Sequence, residues 1–247
     1  MAERQLHIGY LYPEQMNMYG DRGNVIAIAQ RARWRGLDVH VHEVGIGDPM
    51  DPEQMDLLFG GGGQDREQQL IGKDFEELKG PALAKAVEDG VPMLAVCGTY
   101  QLLGKYYLTG EGEKIPGLGV LNVWTEAGTR RLIGNVVIET ELFGGAQTLV
   151  GFENHSGRTF LGEGVSPLGR VLKGGGNDGE SGFEGAVYQH LVGTYLHGSL
   201  LPKNPWLTDW LIGKALERRY GAGDLDPLDD AFERAAHQAI VRRFGKA

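Results

Sequence analysis

Cysteine is almost absent from this chain: among 247 residues, Cys97 stands alone. A single thiol excludes an internal disulfide, and without Cys-x-x-Cys or His-Glu-x-x-His there is no zinc framework. Positive charge is scarce as well. Lys and Arg number 24 against 33 Asp and Glu, giving a formal net charge of −9. No block of Lys or Arg occurs, so nothing offers an electrostatic footprint for nucleic acid or an anionic membrane. Long hydrophobic runs are missing too. The opening Met1 to Gln5 is polar and no window approaches the roughly 18 apolar residues of a membrane span, so a cytoplasmic protein without membrane insertion is expected. The run Gly60 to Gly63 resembles a phosphate loop, but Gln64-Asp65-Arg66 follow where such a loop needs Gly-Lys-Ser or Gly-Lys-Thr. No nucleotide site is expected there, and no cofactor or metal is implied.

What is present suits one compact domain over residues 1–247, with 41% hydrophobic residues to fill a core. Apolar runs alternate with helical periods through the first hundred residues. Strands are expected at Leu6–Tyr12, Asp38–Val44, Met55–Phe59 and Pro92–Val96, and helices at Asn24–Arg35 and Ala82–Asp89, the latter with Pro81 before it and Gly90 after. That alternation predicts an α/β fold: a mostly parallel sheet with helices on both faces, binding ligands at the carboxyl ends of its strands. From Lys114 to Leu196 the runs become short and β-like, as in Leu132–Glu139, Thr148–Phe152, Ala186–His190 and Leu191–Leu196, and are expected to extend that sheet with antiparallel strands. Two amphipathic helices, around Trp206–Leu216 and Phe232–Ile240, close the chain and are expected to pack on the core. Gly174 to Gly179 is the expected mobile loop.

In Met93-Leu94-Ala95-Val96-Cys97-Gly98-Thr99-Tyr100-Gln101 an apolar strand meets the cysteine and a helix begins at once. Such a turn lifts the sulfur out of the sheet, and the free N–H groups and dipole of the helix favour thiolate. A cysteine elsewhere is usually inert packing; position makes this one the candidate nucleophile. A base is needed because an unaided thiol, with a pKa of about 8.5, is only slightly ionised at pH 7. Of seven histidines, His197 ends an apolar run at a glycine turn, as Cys97 does, and is the candidate. His155 sits among polar neighbours that suit a loop lining a site as well as one doing chemistry, and a hydrogen-bonded loop histidine is the favoured reading. His40 and His42 share a face of one strand but lack an evident third metal ligand. The bare glycines at 60–63 can bring backbone N–H groups close to a substrate as an oxyanion hole. Arg130 and Arg131 precede a strand, where a guanidinium could clamp a carboxylate.

Ala95 to Gly104 resembles the nucleophile elbow of class I glutamine amidotransferases, in the branch of the cobyric acid synthases, and Tyr195-Leu196-His197-Gly198 resembles that branch's histidine motif. Together with Tyr19-Gly20-Asp21-Arg22-Gly23-Asn24, Gly151-Phe152-Glu153-Asn154-His155 and the closing helices, nearly the whole chain is similar to the GatD family, the glutaminase subunits of lipid II isoglutaminyl synthases. The resemblance implies a flavodoxin-like fold and hydrolysis of L-glutamine through a thioester on Cys97. It further implies delivery of ammonia to a MurT-like, ATP-dependent Mur ligase homologue that amidates D-glutamate of the lipid II stem peptide. By residue it implies Cys97 and His197 as catalytic, Arg131 and Gln101 as substrate-binding, and Gly61, Gly62 and Gly98 around the oxyanion. The alternatives are the amidotransferase unit of a cobyric acid-type synthase or a silent scaffold of the same fold. Three positions depart from the pattern: Ala95 and Thr99 stand where glycines are usual. Ser199 stands where many relatives place the glutamate that orients the histidine. The expectation is that a partner carboxylate completes the site, with Glu153 or a backbone carbonyl as the in-chain alternative.

Overall fold

The computed structural model describes residues 4–244. Its first half is the expected alternation: β1 (Gln5–Leu11), α1 (Arg22–Arg33), β2 (Asp38–Val44), β3 (Leu57–Gly60), α2 (Asp65–Lys73), α3 (Gly80–Glu88), β4 (Met93–Val96) and α4 (Gly98–Leu103). The unforeseen member is α2, which runs through a π-helical turn at Asp74–Lys79 into α3. Strands β3 and β4 are buried at every position, because parallel strands covered on both faces have no solvent side.

The second half contains β5 (Tyr106–Leu108), β6 (Lys114–Pro116), β7 (Val123–Thr140), β8 (Gln147–Leu161), β9 (Gly169–Lys173), β10 (Phe183–Glu184), β11 (Ala186–Tyr188) and β12 (Leu191–Thr194). Helices α5 (Pro205–Tyr220) and α6 (Ala231–Phe244) follow. The first sheet has the order β11-β12-β4-β3-β1-β2, parallel except at β11. Here the expectation is corrected. Of the added strands only β11 joins the parallel sheet as an antiparallel member; β5 to β10 build a second sheet around the long β7–β8 hairpin. Short apolar runs cannot reveal this, since pairing partners are fixed by tertiary register.

Of the two closing helices, α5 packs its Leu207, Leu211, Ile212 and Ala215 into the core, whereas α6 buries only His237 and leaves Phe232 88% exposed. Arg31 on α1 holds this region, pairing with Asp209 at 2.7 Å and Asp230 at 2.6 Å. The glycine-rich loop is tied down rather than free. Gly175 and Gly176 donate their N–H groups to Glu153 at 2.7 and 3.0 Å, and the buried Asn177 exchanges two 2.9 Å bonds with Gly185.

Candidate active site

Four chain segments converge at the carboxyl ends of β3, β4 and β12. Cys97 follows β4 directly and has φ 51° and ψ −104°, a left-handed conformation that costs a non-glycine residue on the order of 1–3 kcal/mol. The strain is held by the ladder on one side, where Cys97 N–H donates to Thr194 at 2.8 Å, and by α4 on the other, where Gln101 N–H donates to Cys97 at 2.9 Å. Thr99 and Tyr100 find space in glycines on the neighbouring strands: a Cβ on Gly60 would lie 2.5 Å from the Thr99 methyl, and one on Gly193 would lie 2.2 Å from the Tyr100 ring, both glycines pairing with Ala95. Thr99 in turn fixes the glycine loop, its hydroxyl donating to Gly61 O at 2.7 Å.

His197 lies just past β12, its backbone clamped by a two-bond bridge to Phe152 of β8. It is fully buried, with its Nδ1 3.2 Å from Asp21 Oδ2 and 3.3 Å from Oδ1. Asp21, also fully buried, fixes the tautomer: Nδ1 donates to the carboxylate and Nε2 is left for the nucleophile. A Cβ on Gly62 would stand 2.6 Å from His197 Cε1 and 3.3 Å from Cys97 Cβ, so the imidazole and the cysteine meet across a residue where a side chain has no room. Burial alone would lower the His197 pKa. Electrostatic interaction with Cys97 and the bond to Asp21 outweigh it and push the imidazole up to about 10.

Asp21 is the residue the sequence did not disclose. It precedes α1 in the N-cap position, where aspartate ordinarily caps a helix, but its carboxylate makes no cap bond. Instead it takes His197 and the Gly62 N–H, the latter at 2.8 Å. Ser199, at the position of the missing glutamate, donates to Gly20 O at 2.8 Å and so holds the turn that delivers Asp21. The expected carboxylate from a partner is therefore unnecessary, and Glu153 is not its substitute, because its oxygens accept the glycine-loop N–H groups described above.

A cavity of about 210 Å³ opens beside Cys97, lined among others by Gly63, Asp65, Gln68, Gln101, Arg131, Asn154 and His155. Arg131 is in its wall, held by Asn154, whose side-chain oxygen and backbone carbonyl accept at 2.9 and 3.0 Å. Asn154 also donates to the Tyr19 hydroxyl at 2.6 Å, and the Tyr19 ring meets His197 edge-on at 5.1 Å. Arg130 faces a different hollow, with Arg158 and Asp178. His155 stacks on Tyr195 at 3.6 Å and bonds Gly157 O, in a burial that lowers its pKa, so it forms wall rather than base. Gly61, Gly62 and Gly98 do not line the cavity. Gly62's N–H belongs to Asp21 and Gly61 packs against Met16 and Asp21; Gly63 does line the cavity, with its nitrogen 2.9 Å from where a Cβ on Gly98 would stand. Elsewhere His7 stacks on His40 and His42, but among the described residues no group of three or more His, Cys, Asp or Glu could hold a metal ion. Nor is any described helix long and apolar enough to cross a membrane.

Residues 7–205 match the CobB/CobQ-like glutamine amidotransferase domain. The chain is 44% identical over 239 residues to the lipid II isoglutaminyl synthase (glutamine-hydrolyzing) subunit GatD of Staphylococcus aureus, covering 97% of this chain and 96% of that one. It is 31% identical to a probable cobyric acid synthase of Methanothermobacter thermautotrophicus, over 83% of this chain but only 41% of the larger protein. A crystal structure of a Thermotoga maritima glutamine amidotransferase superposes with a TM-score of 0.55 at 16% identity, over 96% of this chain and 91% of the other, and so shares the fold.

Proposed function

The chain belongs to the CobB/CobQ-like glutamine amidotransferase family, and from that premise we propose that it is the glutaminase subunit of a lipid II isoglutaminyl synthase. The observation that carries the reading is Cys97 on its strained turn, beside an Asp21-oriented His197 and at the edge of a cavity that presents Arg131. Arg131 pairs with the α-carboxylate of L-glutamine, which a planar guanidinium suits. The Cys97 sulfur attacks the side-chain carbonyl carbon. The oxyanion that forms is met by the N–H groups of Gly63 and Gly98, each such donor being worth about a hundredfold in rate. His197 gives its proton to the departing nitrogen, ammonia leaves, and the acyl group remains as a thioester. His197, now neutral, takes a proton from water, whose attack on the thioester releases glutamate and restores the thiolate. The ammonia is consumed by a MurT-type, ATP-dependent ligase that amidates D-glutamate of the lipid II stem peptide. Near-complete mutual coverage with the Staphylococcus aureus subunit favours this acceptor over a cobyrinate-type one.

The test uses the chain copurified with its ligase, supplied with lipid II, ATP and glutamine labelled with ¹⁵N in the side-chain amide. Label should enter the stem peptide. In Cys97→Ala glutamine-dependent amidation should vanish while free ammonium still supports it. Glutamine-dependent amidation persisting in that variant refutes the reading, and turnover by the isolated chain with no gain from the ligase marks it as a free-standing amidohydrolase.

A further inference from the structure

Gln68 lies on α2 and is 1% exposed, an unfavourable place for an amide unless its hydrogen bonds are used. Only its nitrogen is. Nε2 donates to Gly63 O at 3.3 Å and to Gln101 Oε1 at 2.8 Å, whereas Oε1 is buried with no partner. Gln101 passes the chain on, its Nε2 donating to the Tyr195 hydroxyl at 3.0 Å, which meets Thr159 at 2.6 Å and, through it, Thr125 at 2.7 Å.

An amide can be turned either way in such a chain, but one end here is fixed. Gly63 O is a carbonyl and can only accept, so Gln68 must turn its nitrogen toward it. The same nitrogen reaches Gln101, which must therefore offer its oxygen to Gln68 and its nitrogen to Tyr195. That nitrogen has a second hydrogen. It stands against Gly157, 2.5 Å from where a Cβ there would be, and both Gln101 and Gly157 line the cavity beside Cys97. We propose that Gln68 is a positioning residue that sets the polarity of the cavity: by donating to Gly63 and Gln101 together it leaves an N–H of Gln101, not its carbonyl, facing the substrate. The partner of that N–H is an acceptor oxygen of the substrate. The proposal rests on the glutaminase reading for the identity of that substrate, not for the direction of the chain.

Glutamate at position 68 would reverse the direction. A carboxylate repels Gly63 O and accepts from Gln101, which turns its nitrogen toward α2 and its carbonyl toward the cavity. Methionine of similar length removes the donor and imposes no direction. The experiment compares the rate at which Cys97 is alkylated by 6-diazo-5-oxo-L-norleucine, which must be recognised as glutamine, with the rate for iodoacetamide, which reports the thiolate alone. In Gln68→Met the ratio of the two rates should fall by about threefold, and in Gln68→Glu by about tenfold or more, as a lost and then a reversed hydrogen bond require. Equal slowing with both reagents would mean that position 68 merely supports the fold, and an unchanged ratio would mean that it does not set polarity; either overturns the proposal. If the wild-type chain reacts with iodoacetamide but not with the glutamine analogue, the glutaminase reading fails, and polarity is then decided without ligand. NMR of the labelled wild-type chain should show scalar coupling across the hydrogen bond from the Gln68 side-chain nitrogen to the Gly63 carbonyl carbon. Coupling from a Gln101 nitrogen to Gln68 instead overturns the proposal, and does so even if the variants fail to fold.

Discussion

The two sheets meet at one cavity but bring different things to it. The parallel sheet contributes Cys97, His197 and the glycine loop from the tips of adjacent strands, all buried, with Asp21 from the turn after β1. The second sheet contributes Arg131 and Asn154 from a long hairpin, at the level where the β7–β8 register shifts between Ala127 and Leu132, and these side chains reach solvent. In the proposed reaction, the reacting groups thus sit where neighbouring strands fix every backbone atom, and the recognising groups sit where the structure can admit a ligand. The difference predicts a division of kinetic effects. Changes in the first set should alter the reactivity of the sulfur and kcat, and changes in the second should alter KM.

Asp21→Asn is the strongest challenge to that division. The amide keeps an oxygen for the Gly62 N–H but cannot hold His197 in the same tautomer, so kcat should fall by about a hundredfold to ten-thousandfold with KM little changed. The His197 pKa should fall from about 10, since one of the groups that raise it is removed, and NMR titration of the imidazole reads this directly. A loss below about tenfold in the assembled complex would show that a carboxylate outside this chain orients the histidine after all. Arg131→Ala should act on the other side. Breaking a charge-assisted contact of this kind costs about 2–5 kcal/mol, so KM should rise by tenfold or more while the iodoacetamide rate stays at the wild-type value. A fall in the iodoacetamide rate would mean that the chain of contacts through Asn154 and Tyr19 to His197 transmits the change, and the two sets would not be separable.

The same contrast explains what could be read from the sequence. Cys97 and His197 each end an apolar run at a glycine, a local signal that survives without knowledge of the fold, and β1 to β4 follow from periodicity. Asp21 carries no such signal: before a helix, aspartate reads as a cap, and only the turn held by Ser199 aims it at a histidine 176 positions away. The choice of Gly63 over Gly61 and Gly62 depends on which peptide in a run of four glycines faces inward, and composition is silent on that. The second sheet was hidden for a related reason. Residues 114–196 show strands, but which sheet they join depends on the pairing of β7 with β8, β5 and β9.

The smallest expected effect lies at the seam between the sheets, where Glu184 of β10 accepts from the Thr194 hydroxyl at 2.6 Å and from Tyr195 N–H at 2.7 Å. Burial raises its carboxyl pKa to about 7 although both bonds favour the charged form, and its second oxygen is buried without a partner. Between its ordinary value of 4.5 and about 7 the folded chain therefore binds more protons here than the unfolded chain. Stability from this group is complete below that window and is lost as pH rises through it, by at most about 1.4 kcal/mol per pH unit. Glu184→Gln keeps an oxygen for both bonds and does not ionise. Its Tm should match that of the wild type near the lower end of the window and exceed it by several degrees above the upper end. His197 also has a raised pKa and loses its contribution as pH climbs toward 10, but it is common to both proteins and cancels when they are compared at the same pH. Activity should barely change, because Glu184 bonds the Thr194 hydroxyl and the Tyr195 N–H, ahead of His197, rather than the reacting atoms. Parallel Tm curves would show that the carboxyl titrates alike in both states; a kcat loss comparable to that of Asp21→Asn would place the seam within the reacting set and end the division between the two sheets.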